Sequence, residues 1–113
     1  MSDGPVVIFI DFANHDFSAE RTEALKPMAA DIAKAPGMIW KIWTEDREQG
    51  RAGGVYLFES RALAEAYAEA HRVRLTKRGV GEMVAEYRTI NPVLSEIDRA
   101  PVFRTAAEAI AAR

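Results

Sequence analysis

The chain has no cysteine, which excludes disulfides, thiolate nucleophiles, iron–sulfur clusters and the usual structural zinc sites. Histidine is scarce as well. There are only two, no His-Glu-x-x-His spacing exists, and the carboxylates are not grouped to complete a ligand set, so no metal is expected. No apolar run approaches the roughly 18 residues that a spanning helix needs. Met1-Ser2-Asp3-Gly4 lacks the basic-then-apolar pattern of a secretory signal, so no membrane partner is expected and a cytoplasmic location is the default. An excess of positive charge is missing too: 15 Lys and Arg face 17 Asp and Glu, which argues against nucleic acid as the main partner. Gly79-Val80-Gly81 is no dinucleotide fingerprint, because it precedes a strand instead of opening a helix and Val84 stands where a third glycine belongs. Ser18, Ser60 and Ser95 fall at helix starts or in the tail, where capping accounts for them better than nucleophilic chemistry.

What is present is alternation. Val6 to Ala13 is a β-branched and aromatic run, hence a first strand. Ser18 is a candidate N-cap for a helix carrying Leu25, Met28, Ala29, Ile32 and Ala33, with Pro27 expected to kink or restart it. Gly37 to Phe58 reads as two strands joined by a polar, glycine-rich hairpin loop over Glu45–Gly54, with a tryptophan on each face of the incoming strand. Ser60 then caps a second helix whose inward stripe is Leu63, Ala66, Tyr67, Ala70 and Arg74, with His71 on its edge. A fourth strand spans about Glu82 to Ile90. After Asn91-Pro92 come a short helical piece near Val93–Ile97 and an alanine-rich helix near Arg104–Ala112. The order β-α-β-β-α-β is the split βαβ pattern: an α+β, ferredoxin-like domain over residues 1–100 with a four-stranded antiparallel sheet. Residues 101–113 form a C-terminal helical extension that must pack on the domain or on a partner.

Both helices of such a fold cover one sheet face. Strict alternation assigns Ile8, Ile10, Met38, Trp40, Ile42, Met83 and Tyr87 to that face. It leaves Phe9, Asp11, Ile39, Lys41, Trp43, Glu86 and Arg88 on the other, where a second subunit would cover them. Asp11, Lys41, Trp43, Glu45 and Arg88 are therefore the expected contacts of a homodimer. The helix-covered space collects the hydrogen-bonding aromatics and suits a flat, apolar ligand held by a few polar atoms. There His71 is the candidate base, one turn after Tyr67 and able to exchange protons near neutral pH. Tyr67, Tyr87 and Asn14 are candidate donors. Trp40, Ile10, Phe12 and Met38 are candidate walls, and Arg74 stands at the mouth. The basic run His71 to Arg78 otherwise suits the last turns of a helix.

The runs Pro36-Gly37-Met38-Ile39-Trp40-Lys41-Ile42-Trp43-Thr44-Glu45, Gly53-Gly54-Val55-Tyr56-Leu57-Phe58 and Asn91-Pro92-Val93-Leu94-Ser95, with Leu25-Lys26-Pro27, resemble the YdhR-like monooxygenase family over about Val6 to Ala100. The resemblance implies a dimeric α/β barrel of two ferredoxin-like subunits packed sheet to sheet. It also implies oxidation of an aromatic small molecule (a phenol, quinol or anthrone-like ring) by molecular oxygen with no metal, flavin or haem cofactor. Two other readings stay open. The same barrel hosts haem-binding and haem-degrading enzymes, whose cast Asn14, Tyr67 and His71 imitate. It can also serve as a non-enzymatic, stress-responsive barrel that holds a small ligand.

Overall fold

A computed structural model describes residues 4–113. The elements run β1 (Val6–Ala13), α1 (Ala19–Ile32), β2 (Met38–Asp46), β3 (Arg51–Phe58), α2 (Arg61–Lys77), β4 (Val84–Thr89), α3 (Pro92–Ile97) and α4 (Ala106–Ala111). The sheet is four-stranded in the order β2-β3-β1-β4 with every pair antiparallel, so the α+β, ferredoxin-like arrangement stands as expected. Side-chain oxygens of Ser18, Ser60, Asn91 and Thr105 accept the amides that open α1, α2, α3 and α4. The helix α1 runs unbroken through Pro27 instead of restarting there.

The core lies between one sheet face and the two long helices. Val6, Ile8, Ile10 and Phe12 of β1 face it, beside Ala52, Tyr56 and Phe58 of β3. From α2 the buried residues are Ala64, Tyr67, Ala68, His71 and Leu75, so the buried stripe is rotated from the expected one. His71 is at its centre, not its edge, and Ala66 and Ala70 are not part of it.

The strand β2 departs most from simple alternation. Met38 pairs with Phe58, yet the next partner of β3, Leu57, pairs with Trp40, leaving Ile39 as an extra residue at a β-bulge. One inserted residue exchanges the faces of everything after it. Lys41, Trp43 and Glu45 therefore stand opposite Tyr56, Gly54 and Ala52 on the helix side. Trp40, Ile42 and Thr44 stand opposite Leu57, Val55 and Gly53 on the open side. The assignment of Trp40 and Ile42 beneath the helices, and of Lys41, Trp43 and Glu45 to the open face, is corrected by this bulge. Met38 precedes it and keeps its expected face.

Two further features differ from the sequence reading. The strands extend farther than expected, so the β2–β3 connection is a four-residue turn (residues 47–50) and not a long loop. The turn is tied down: the Asn14 amide donates to the Gly50 carbonyl at 2.9 Å, and Arg47 donates to the Phe17 carbonyl at 3.3 Å. The C-terminal segment packs on the domain. The Trp40 indole Nε1 donates to the Pro101 carbonyl at 2.9 Å, the Ala106 amide donates to Glu59 Oε2 at 2.8 Å, and α4 lies against β2. Trp40 thus anchors the tail. No helix among the described residues is long and apolar enough to cross a membrane.

At Gly53 β1 and β3 approach closely enough that an added Cβ would collide with the Ile10 carbonyl oxygen. Backbone cannot swing aside as a side chain can, so Gly53→Ala should cost about 3 kcal/mol, the upper end of ordinary overpacking. Urea unfolding measures this directly; an unchanged midpoint would mean the strands are not this close.

Candidate functional site

Beneath the helices lies a cavity of about 330 Å³, bordered by Phe12 and Asn14 of the β1 end, Arg21 and Leu25 of α1, Lys41 and Trp43 of β2, and His71 of α2. Its volume is at the small end of the range for ligand sites. The bulge at Ile39 brings Lys41 here. The Lys41 Nζ lies 3.4 Å from the centroid of the Trp43 ring and 4.7 Å from that of Tyr56. Gly54 makes room for it, since a Cβ at that position would meet Lys41 Cε at 2.8 Å.

Around the ammonium is a polar cluster without a buried acid. Tyr67 Oη donates to Tyr56 Oη at 3.3 Å, and the Tyr67 and His71 rings stack at 5.3 Å. His71 is 3 % exposed, and its Nδ1 and the Arg74 Nε are both buried without a hydrogen-bond partner. Glu45 is the nearest carboxylate along β2, and it is engaged by Arg21 at 3.7 Å. Among the described residues Lys41 makes no ion pair.

This arrangement moves proton affinities in one direction for the cations. Burial, with Arg74 and Arg21 adding repulsion, lowers Lys41 to about 7. Burial, then the charges of Lys41 and Arg74, lowers His71 to about 3. Burial raises Tyr56 and Tyr67, so both phenols stay protonated. Burial thus holds His71 below the ordinary imidazole range and brings Lys41 toward neutrality.

The other expected site residues are dispersed. Asn14 borders the cavity and donates its side-chain amide to the Asp16 carbonyl at 2.9 Å, while Phe12 supplies a wall. Ile10 and Met38 are buried core residues away from that lining. Arg74 stands beside the Tyr67 ring at 6.0 Å and is not part of the cavity lining, to which Arg21 and Arg78 contribute. Tyr87 lies on the helix side but against the Arg61 guanidinium at 4.8 Å, outside the cavity. Trp40 is on the opposite face altogether. Of the residues expected at a subunit contact, Asp11 and Arg88 do lie on the open side. Asp11 is already paired with Arg51, whose Nε donates to it at 2.8 Å. Lys41, Tyr56, Trp43 and Arg21 are the site residues that sequence reasoning missed. The available signal was a lysine inside an otherwise apolar, tryptophan-flanked strand. Among the described residues no three His, Asp or Glu side chains are placed to hold a metal ion.

The Lys41 shift makes stability depend on pH. An unfolded lysine holds its proton up to about 10.5, whereas folded Lys41 releases it near 7, so the unfolded state binds more protons between these limits. Stability then rises as pH climbs through that window. His71 acts likewise at lower pH, with stability falling as pH drops from 6.5 toward 3. Lys41→Met should flatten the rise between pH 7 and 9 in urea titrations and increase stability at pH 7; an identical slope in both proteins would contradict a buried, easily deprotonated Lys41.

A comparison with curated proteins finds no match to the chain. The profile of one protein family, described as "Putative mono-oxygenase ydhR", matches residues 7–101. That span holds the β-α-β-β-α-β core apart from Val6, the first residue of β1, and the whole cavity lining. The chain belongs to this ydhR family.

Proposed function

We propose that the helix-covered cavity binds an acidic aromatic ring, a phenol, quinol or anthrone-like compound, and oxidises it with molecular oxygen and no added cofactor. The observation that carries this reading is the half-buried amine of Lys41, held without a counter-ion among Trp43, Tyr56 and His71. A neutral amine in such a place takes a proton from a weakly acidic ring. The resulting ammonium, with Arg74 and Arg21 nearby, then stabilises the ring anion it has produced. The anion gives up electrons to oxygen far more readily than the neutral ring. For an anthrone-like substrate the balance closes without another reductant: a ring CH₂ and O₂ become C=O and H₂O. Carbon loses four electrons, oxygen gains four, and both hydrogens of the water come from the methylene. Neutral His71 offers a hydrogen bond to the oxygen of the ring, and the aromatic walls keep the reacting carbon from bulk water.

A haem-ligating role finds less support. His71 is 3 % exposed and its ring is stacked on Tyr67, so it does not present an open imidazole to an iron.

Oxygen uptake with a panel of anthrones and quinols tests the proposal. Lys41→Met should lower kcat/KM by about 10²–10³-fold, the usual contribution of a general base. In the wild type, kcat/KM should rise through a pH near 7 as Lys41 loses its proton, against the fixed charges of Arg21, Glu45 and Arg74 and the neutral His71, Tyr56 and Tyr67. No uptake across the panel, or an unaltered pH profile in the variant, would end this assignment.

The open sheet face supports a homodimer. Phe9 and Val84 are each 44 % exposed and Ile42 is 56 % exposed, next to Val55 and Trp40 on the same side. A cluster of exposed apolar side chains on one sheet face is the kind of surface that subunit contacts cover. A second copy laid sheet to sheet would cover it. Light scattering at micromolar concentration should give twice the chain mass, and Phe9→Glu should return the monomer mass; a monomeric wild type would exclude the arrangement.

A further inference from the structure

Lys41 stands in a wall between two cavities. One is the helix-covered site. The other, of about 730 Å³, lies between α1, β2 and the C-terminal segment, and Trp40, Phe103 and Ile110 line it beside Lys41. A lysine that borders two cavities, rests against the rings of Trp43 and Tyr56 and has no carboxylate partner is placed for chemistry beyond proton transfer.

We propose that Lys41 is a covalent carbonyl-capture site, whose amine condenses with an aromatic aldehyde or ketone to form an imine. The nitrogen lone pair forms the C–N bond while the carbonyl π pair moves to oxygen, which takes up a proton. That proton is, in balance, one of the two amine hydrogens; the carbinolamine then loses the hydroxyl together with the second amine hydrogen as water, while the nitrogen lone pair forms the C=N bond. The sum is aldehyde plus amine giving imine plus water, with no oxidant or reductant consumed.

Three features favour this step at Lys41 over the other lysines of the chain, Lys26, Lys34 and Lys77. Lys41 is half-buried with no carboxylate to pair it, so loss of water disfavours the ammonium form more than the Trp43 and Tyr56 ring faces favour it, and a nucleophilic lone pair is left. The guanidinium groups of Arg74 and Arg21 act in the same direction, while Glu45, the acid able to hold an ammonium, is engaged by Arg21. The aromatic walls would stack on the ring of an incoming aldehyde. Lys26, by contrast, is exposed and paired with Glu23 at 2.8 Å, and Lys34 and Lys77 are also exposed.

The test is anaerobic incubation of the full chain at pH 7 with 4-hydroxybenzaldehyde and cyanoborohydride, followed by peptide mapping. Reduction fixes any imine as a stable benzyl amine. Labelling at Lys41 should exceed that at Lys26, Lys34 and Lys77 by on the order of ten-fold, since the neutral fraction of an ordinary lysine is small at this pH. Lys41→Arg should lose that one adduct and keep the others. Equal labelling of all four lysines, or none at Lys41, overturns the proposal. Because oxygen is absent here and the reductant is absent from the uptake assay, failure of either reading leaves the other standing.

Discussion

A β-bulge at Ile39 is the constraint on which the rest of the structure turns. Without the extra residue, Lys41 would point to the open side of the sheet and Trp40 beneath the helices. With it, an ammonium stem is laid against Trp43 and Tyr56 in the core-facing layer, and an indole is turned outward to hold the tail through Pro101. Bulges are found where a strand must re-aim a side chain, and here the re-aimed one is the only lysine bordering the site. The glycines opposite complete the arrangement. Gly53 lets β1 and β3 approach, and Gly54 leaves the space that the Lys41 stem fills.

Burying a cation without an acid is costly, and the usual outcome is that the group surrenders its charge. Lys41 and His71 both do so to different extents, with Arg74 remaining as the fixed cation of the group. Burial and mutual repulsion thus lower the proton affinity of both Lys41 and His71 beside the Arg74 guanidinium. Under the proposed function, a proton lost by a weakly acidic guest would restore the Lys41 charge while an anion is there to offset it, so the unfavourable burial would be relieved in the occupied state.

The ordering of elements, the strand pairing, the caps at Ser18 and Ser60 and the inward face of β1 were legible because each follows from local pattern. The facing of β2 was not. A bulge leaves no mark in a sequence of alternating apolar residues, and Met38-Ile39-Trp40 offers no glycine to betray it. The stripe of α2 was misplaced for a related reason: Ala66 and Ala70 are as apolar as the buried Ala64 and Ala68, so periodicity among alanines does not fix helix rotation. His71 was identified as part of the site, and its burial at the centre of α2 lowers its proton affinity, while the cation brought toward neutrality is Lys41, a residue assigned to the opposite face.

The same strand sets both the cavity and the open face, and that couples them. Residues 40 and 42 of β2 present Trp and Ile outward while residues 41 and 43 present Lys and Trp inward, one backbone step apart. Packing on the outer side fixes the pleat of β2, and with it the height of Lys41 in the cavity. The tail reaches the same strand from its edge, where α4 lies against β2 and the Pro101 carbonyl holds Trp40. Any cover placed on the open face would thus act on the site through the backbone of β2, without contributing a side chain to it. An apolar substitution at Ile42 is accordingly a perturbation of the Lys41 environment as well as of the surface, because neighbouring residues of a strand cannot move independently.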